Sequence, residues 1–158
     1  MAPDDTPALE DVAGRGLDHV VVRYGRAESV EEAARLRDVE LHQVIKTLVV
    51  RRGDDDFVFV LVPGDRQIDW PKLRRHLEVS RLSLASRDEA LAATGYRPGT
   101  ITPFGSTRSW PVVMDASMDG LVSIGGGDHG VAVNLDADAA RGALDAAVAD
   151  VTRSSSDD

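Results

Sequence analysis

The stretch VIKTLVVRRGDDDFVFVLV, residues 44–62, decides the fold of this chain. Two runs rich in Val, Ile, Leu and Phe, residues 44–50 and 57–62, flank a short segment that holds Gly53 and three consecutive aspartates. β-Branched and aromatic residues favour strands, and a short glycine-containing connection joins strands that pair antiparallel. The pattern therefore predicts a β-hairpin.

Helices are predicted on both sides of this hairpin, each beginning at a side chain that accepts the first free N–H groups of a helix. These capping residues are Thr6, Ser29, Asp69, Ser86 and Asp136. The first four helices are expected to end near residues 14–16, 37, 77 and 95. The last helix is predicted from an apolar stripe with helical spacing, formed by Ala140, Leu144, Ala147, Val148 and Val151.

Further strands are predicted at residues 19–24, 81–84, 112–114, 121–124 and 131–135. Several strand pairs have connections too short for a parallel crossover, so part of the sheet must be antiparallel. We therefore predict a single α+β domain with a mixed sheet, and not a doubly wound parallel sheet. The domain is expected at residues 6–151, with flexible termini at residues 1–5 and 152–158.

The composition fits one globular domain and excludes several kinds of site. A chain of 158 residues can bury a substantial core. The absence of cysteine excludes a disulfide scaffold, a thiol nucleophile and thiolate metal sites. The four histidines are isolated, so neither a metal site nor a cofactor is expected. No signal-peptide pattern or membrane-spanning apolar run occurs, so a cytoplasmic protein without a membrane partner is expected.

Positive charge is concentrated in one part of this acidic chain. The net charge is −9, yet residues 66–108 carry 8 basic and 4 acidic side chains, a net charge of +4. The basic residues singled out there are Lys72, Arg74, Arg75, Arg81, Arg87, Arg97 and Arg108. Two interpretations stay open: a phosphate-facing surface for a nucleic-acid end, or solvated helix faces.

Lys46 and the segment GYRPGTITPFG, residues 95–105, are the candidates for chemistry. A lysine in an apolar strand either extends to water or meets an anion, because a buried unpaired charge is costly. The segment holds three glycines and two prolines, which let backbone N–H groups approach a ligand and restrict the chain. It is either a rigid loop that presents main-chain donors to an oxyanion or a structured turn between two elements.

The pattern Gly125-x-Gly127-x-x-Gly130 formally matches a dinucleotide-binding motif. It precedes a predicted strand, so no helix N-terminus is available for a pyrophosphate, and that interpretation is rejected. A hairpin turn remains one interpretation of this segment.

The chain resembles the YbaK/prolyl-tRNA-synthetase-associated editing domain family, collinearly from about Thr6 to Asp150. The resemblance lies in four motifs that occur in the same order: Lys46-Thr47, Val62-Pro63-Gly64-Asp65, Gly99-x-x-x-Pro103 followed by Phe104-Gly105, and Gly125-Gly126-Gly127. It implies a curved, barrel-like mixed β-sheet flanked by helices, with the site at one mouth.

The resemblance also implies a function, that of a trans-acting aminoacyl-tRNA deacylase. Lys46 would hold the phosphate region of the tRNA acceptor end, and the Gly99 N–H would bind the ester carbonyl. Water would attack with help from the substrate and not from a protein base. Residues implied to bind the substrate, with the glycine turn near the ribose, are Tyr24, Thr47, Thr102, Pro103, Phe104, Gly105, Asp115, Gly125, Gly126 and Gly127.

Thr47 after the lysine favours Cys-tRNA(Pro) as the mischarged substrate, and clearance of alanine or serine stays open. An aminoacyl-tRNA synthetase is a possible further partner. The chain departs from the family at Asp128-His129, where relatives often carry a basic residue, and we expect an acidic group there to weaken tRNA affinity. The alternatives are a non-catalytic module that binds tRNA or nucleotides or docks on a synthetase, and a small-molecule esterase.

Overall fold

The computed structural model describes residues 5–156. Within them, five α-helices form: α1 (Pro7–Gly14), α2 (Val30–Arg37), α3 (Trp70–Leu77), α4 (Arg87–Thr94) and α5 (Ala137–Leu144). The strands are β1 (Val20–Arg23), β2 (Val44–Gly53), β3 (Asp56–Pro63), β4 (Arg66–Ile68), β5 (Ser83–Leu84), β6 (Val112–Asp115), β7 (Leu121–Gly125), β8 (Val131–Asp136), β9 (Ala147–Ala149) and β10 (Thr152–Ser154). The predicted flexibility of residues 1–4, 157 and 158 falls outside the described part of the chain.

β2 and β3 form the predicted hairpin. Their antiparallel pairing runs from Ile45 opposite Pro63 to Gly53 opposite Asp56. The other edge of β2 pairs in parallel with β7 near its first residue and antiparallel with β5 near its end. β2 is therefore held by β3 along its length and by β7 and β5 near its two ends.

The main sheet has the strand order β1-β8-β7-β2-β3-β6-β9, with β5 added to β2, and β4 pairs separately with β10. Parallel and antiparallel pairs both occur, so the predicted mixed sheet and α+β class are confirmed. The sheet is curved, but β1 and β9 stay at opposite edges and the barrel does not close.

All five predicted capping residues cap a helix. The side chains of Thr6, Ser29, Asp69, Ser86 and Asp136 each accept a backbone N–H from the first turn of the helix that follows. Local hydrogen bonding therefore sets where each helix begins, independently of the packing that holds it against the sheet.

Two clusters of buried side chains pack on the two faces of the sheet. Ile45 and Val49 of β2 belong to the larger cluster, which includes residues of α1, α4 and α5. Val50 belongs to the smaller cluster, where Leu73 of α3 packs. Successive side chains of a strand point to opposite faces of the sheet, so β2 contributes side chains to both clusters.

The last helix is shorter than its apolar stripe predicts. α5 ends at Leu144, and Asp145 follows in the left-handed conformation with φ 50°. Ala147 and Val148 lie in β9, which pairs in parallel with β6, and Val151 packs in the smaller cluster. The predicted extent of this helix was wrong because apolar residues occur in strands as well as in helices. In β9, pairing with β6 provides hydrogen-bond partners for their backbone groups.

The segment from residue 152, expected to be a flexible C-terminus, begins with a strand. Thr152–Ser154 form β10, which pairs antiparallel with β4, and Thr152 is fully buried. The polar composition of this segment concealed a strand whose partner lies more than eighty residues earlier in the chain.

The second half of the 95–105 segment packs against α1. Phe104 is 1% exposed in the larger cluster, and its carbonyl accepts a 2.7 Å hydrogen bond from the Tyr96 hydroxyl. The backbone N–H of Gly105 donates to Asp11 of α1 at 2.8 Å. Tyr96 and Phe104 are therefore part of the core.

Asp115 lies at the end of β6 and fixes the C-terminal strands. Its carboxylate accepts hydrogen bonds from the backbone N–H groups of Val151 and Ser117, both at 3.1 Å, and from the Ser117 hydroxyl. Burial raises the pKa of Asp115, but the hydrogen bonds from Ser117, Val151 and Thr152 outweigh it and hold the pKa below its usual 3.8. The carboxylate therefore stays charged in the folded protein.

We expect Asp115→Asn to lower the free energy of unfolding at pH 7 by about 1–3 kcal/mol, because an amide cannot accept all these bonds. A lowered pKa stabilises the fold above the unfolded pKa, and this stabilisation is lost as the pH falls through the folded pKa. The variant should therefore lose less stability than the wild type on acidification below about pH 4. Urea unfolding between pH 3 and 7 measures both effects, with exposed Asp119→Asn as the control. Equal acid dependence in all three proteins would contradict the assignment.

Gly105→Ala should destabilise the fold. A Cβ at this position would lie 2.5 Å from the Pro7 carbonyl oxygen and 2.6 Å from the Ala8 nitrogen, and φ is +71°. We expect a loss of about 2 kcal/mol or more in urea unfolding. Gly142→Ala is the control, since its Cβ meets nothing within 4 Å and alanine favours a helix by about 0.5–1 kcal/mol. An unchanged free energy of unfolding in Gly105→Ala would contradict this, because it would mean that the backbone at Pro7 and Ala8 moves aside at little cost.

Candidate functional site

A cavity of about 410 Å³ lies between α2, the first half of β2 and two turns. Its lining comes from residues 26–30, 44–48, 99–101 and 128–131, together with Tyr24, Ala33, Arg37 and Gly125. The sheet supplies one wall and the loops supply the others. Lys46 and Gly99, more than fifty residues apart in the chain, line this same cavity.

Lys46 lines the cavity, and its side chain, which carries an ammonium group, is partly buried. Its Nζ donates to the carbonyl oxygen of Arg66 at 2.6 Å, and it forms no ion pair within residues 5–156. Burial lowers the pKa of Lys46 from its usual 10.5, while the charges of Asp65 and Glu31 oppose this shift. An ammonium has three donors, so Lys46 retains the capacity to bind an anionic oxygen.

Gly99 occupies a position that suits glycine. Residues 97–100 form a turn closed by a 3.0 Å hydrogen bond from the Thr100 N–H to the Arg97 carbonyl. Pro98 and Gly99 fill its centre, and Gly99 has φ +88°, which is the pattern of a type II turn. In the described part of the chain, the Gly99 N–H has no hydrogen-bond partner. The turn therefore leaves one rigid main-chain donor unused at the cavity.

Two further predicted residues, Thr47 and Tyr24, line the cavity. The Thr47 hydroxyl oxygen is buried and finds no hydrogen-bond partner among residues 5–156. The Tyr24 hydroxyl accepts hydrogen bonds at 3.0 and 3.2 Å from Arg37 of α2. Sequence analysis missed Arg37, because a single arginine near the end of a helix gives no signal of partners in distant strands.

The glycine-rich turn has one face on the cavity and one on the core. Gly125 lines the cavity, as do Asp128, His129 and Gly130. Gly126 and Gly127 do not belong to the described lining: a Cβ at Gly126 would meet Val131, and one at Gly127 would meet Tyr96 and Thr6. These two glycines permit close packing of the turn against the core.

Several residues that were expected to bind the substrate do not line the cavity. Thr102, Pro103 and Phe104 are buried, and the described lining includes none of them, nor Gly105 or Asp115. Phe104 packs in the larger cluster, Gly105 donates to Asp11 of α1, and Asp115 accepts the Val151 N–H. The segment contributes Thr100 and Ile101 to the lining instead.

The charge around the cavity differs from the predicted basic surface. The described lining includes none of the seven basic residues singled out between 66 and 108. Two of them form ion pairs elsewhere, Lys72 with Asp150 at 3.1 Å and Arg108 with Asp55 at 2.6 Å. The cations of the cavity are Lys46, Arg26 and Arg37, and its carboxylates are Glu28 and Asp128.

Within residues 5–156, no group of three or more His, Cys, Asp or Glu side chains is placed to hold a metal ion. No helix in that range is long and apolar enough to cross a membrane. The lining of the cavity includes ammonium, guanidinium, carboxylate, imidazole and main-chain groups.

Residues 25–142 match the family model of the aminoacyl-tRNA editing domain. Among similar curated proteins, the proline--tRNA ligase of Thermosipho africanus is 32% identical over 134 residues, which are 82% of this chain and 23% of that protein. The proline--tRNA ligase of Streptococcus equi subsp. equi is 34% identical over 106 residues, 67% of this chain and 17% of that protein. The chain thus spans less than a quarter of the length of these relatives.

Solved structures share the whole fold. A hypothetical protein superposes with a TM-score of 0.86 at 25% identity, covering 94% of this chain and 100% of that one. A candidate trans-editing enzyme for prolyl tRNA synthetase superposes with a TM-score of 0.84 at 24% identity, covering 97% and 99%.

The family match includes β2, the turn at Gly99 and the glycine-rich turn, which together form most of the cavity. On the strength of this match, the chain belongs to the aminoacyl-tRNA editing domain family.

Proposed function

We propose that this protein is a trans-acting deacylase that hydrolyses the ester of a mischarged aminoacyl-tRNA. The observation that carries the proposal is the pairing, in one cavity, of the Lys46 ammonium with the turn whose Gly99 N–H is unused. Such a pair suits a substrate that has a phosphate close to a polarised carbonyl. The 3′ end of a charged tRNA has both groups.

In the proposed mechanism, Lys46 holds the phosphate of the terminal nucleotide and Gly99 donates its N–H to the ester carbonyl. Negative charge develops on that carbonyl oxygen during attack, and one preorganised donor contributes about 2.7–4 kcal/mol to its stabilisation. The rigid turn at residues 97–100 keeps the donor in place before the substrate arrives.

Water is the nucleophile. Its oxygen bonds to the ester carbon, and the bond from that carbon to the ribose oxygen breaks. The neighbouring ribose hydroxyl takes a proton from the water and passes one to the leaving ribose oxygen, so the products are a free amino acid and uncharged tRNA. In this scheme the substrate hydroxyl carries out the proton transfers, and no protein base is assigned.

The size of the cavity supports a small amino acid. Ligand cavities range from about 300 to 1,000 Å³, and a volume of about 410 Å³ suits a nucleoside with a small side chain. Thr47 is one of the residues that line it. We therefore propose Cys-tRNA(Pro), or a tRNA bearing alanine or serine, as the substrate. Similarity to proline--tRNA ligases supports tRNA(Pro) and a synthetase as partners.

A non-catalytic tRNA-binding module is the second candidate. It is favoured by the three cations at the cavity, since Arg26, Arg37 and Lys46 would bind a nucleotide end whether or not an ester is cleaved. Turnover separates the two candidates, because a binding module leaves the ester intact.

The test is a panel of mischarged tRNAs, including Cys-, Ala- and Ser-tRNA(Pro), in which loss of the ester is followed with time. We expect wild-type protein to clear at least one of them. Lys46→Ala should lower kcat/KM on the order of 100-fold, the size typical when a substrate is misplaced by about 1 Å. Lys72→Ala, the only other lysine of the chain and paired with Asp150, is the matched control and should keep wild-type activity.

Survival of every ester while tRNA still binds would favour the binding module. Cleavage of simple esters without tRNA at the same efficiency would favour a small-molecule esterase. Equal activity of the two lysine variants would exclude the role proposed for Lys46.

A further inference from the structure

All three guanidinium nitrogen atoms of Arg37 donate hydrogen bonds. Its Nε and one terminal nitrogen donate to the Tyr24 hydroxyl at 3.2 and 3.0 Å. The other terminal nitrogen lies 3.3 Å from the Ser123 carbonyl oxygen and 3.4 Å from the Ser123 hydroxyl. The guanidinium carbon also lies 5.3 Å from the centre of the Tyr24 ring. One side chain of α2 thus joins the cavity wall to β7.

The partners of Arg37 are all neutral. Arg51 and Arg52, by contrast, bind carboxylates at 2.5 to 3.1 Å. Arg37 takes part in no ion pair within residues 5–156. A planar guanidinium donates in a fixed fork, so it orients the groups that accept from it. The geometry suits orientation of a neighbour better than neutralisation of a charge.

Tyr24 needs such support because it lies at the end of an edge strand. β1 pairs only with β8 in the described sheet, and Tyr24 is the first residue beyond it. Its backbone N–H donates to the Gly130 carbonyl at 2.9 Å. That bond fixes the main chain and leaves the ring free to turn. Ser123 is fully buried in the middle of β7, so it is a rigid anchor for Arg37.

We propose that Arg37 is a positioning residue that holds the ring and hydroxyl of Tyr24 in place as one wall of the cavity. The inference rests on the proposed function, since the wall matters only if the cavity takes the aminoacyl end of a tRNA. Arg37 acts through Tyr24, with Ser123 as its fixed point. Loss of the fork lets the ring turn, so the substrate is held less well.

The first measurement does not depend on activity. The chain has two tyrosines, so protein labelled with 3-fluorotyrosine gives two fluorine resonances, and Tyr24→Phe identifies the one from Tyr24. We expect Arg37→Gln and Arg37→Lys both to move or broaden the Tyr24 resonance while the Tyr96 resonance stays. An unchanged Tyr24 resonance in both variants would overturn the proposal. Urea unfolding confirms that each variant is folded.

The second measurement is the kinetic cycle on the mischarged tRNA that the wild type clears best. Arg37→Gln should lower kcat/KM about tenfold, mainly through KM, and Arg37→Lys should do the same because lysine keeps the charge but not the fork. In a Tyr24→Phe background, Arg37→Gln should lower kcat/KM by less than about threefold, because the effects of two residues that act through one another are not additive.

Full activity of Arg37→Lys would mean that only the positive charge matters, and an equal loss in both backgrounds would mean that Arg37 does not act through Tyr24. Either result overturns the proposal. If the wild type clears no ester at all, the proposed function fails, while the fluorine spectra still decide whether Arg37 positions Tyr24.

Discussion

The pairing of β2 with its three neighbours is the constraint on which the rest of the structure depends. Backbone hydrogen bonds to β3, β5 and β7 hold the strand on both edges, and its apolar side chains enter the cores on both faces. Lys46 lies within this strand and cannot retreat to water by a movement of the main chain. Its ammonium therefore stays partly desolvated at the cavity, bound to one carbonyl and with donors to spare.

The other walls of the cavity are built from close backbone contacts. The turn at Gly99 requires a positive φ, and a Cβ at Gly130 would collide with the carbonyl oxygen of Tyr24. A cavity assembled in this way has little freedom to adjust to its ligand. Rigid main-chain donors stabilise a developing charge without reorganisation, which is the property that ester hydrolysis without a strong protein base requires.

Much of the fold follows from local patterns in the sequence. The hairpin at residues 44–62 and the starts of the five capped helices depend on neighbouring residues, and these are confirmed. Phe104 was expected at the ligand wall and lies in the larger cluster; an apolar side chain in a loop suits both places equally. Residues 147–149 were misassigned because apolar spacing does not reveal that β6 offers an open edge. Arg37 left no signal, since its partners are Tyr24 and Ser123 in distant segments.

The most direct test is a crystal structure with a non-hydrolysable 3′-aminoacylamino analogue of adenosine 5′-monophosphate. The account predicts that the analogue fills the cavity, with its amide carbonyl oxygen about 2.7–3.1 Å from the Gly99 nitrogen. The Lys46 ammonium should lie beside its phosphate. An analogue bound elsewhere, or bound here with its carbonyl turned away from Gly99, would contradict the account.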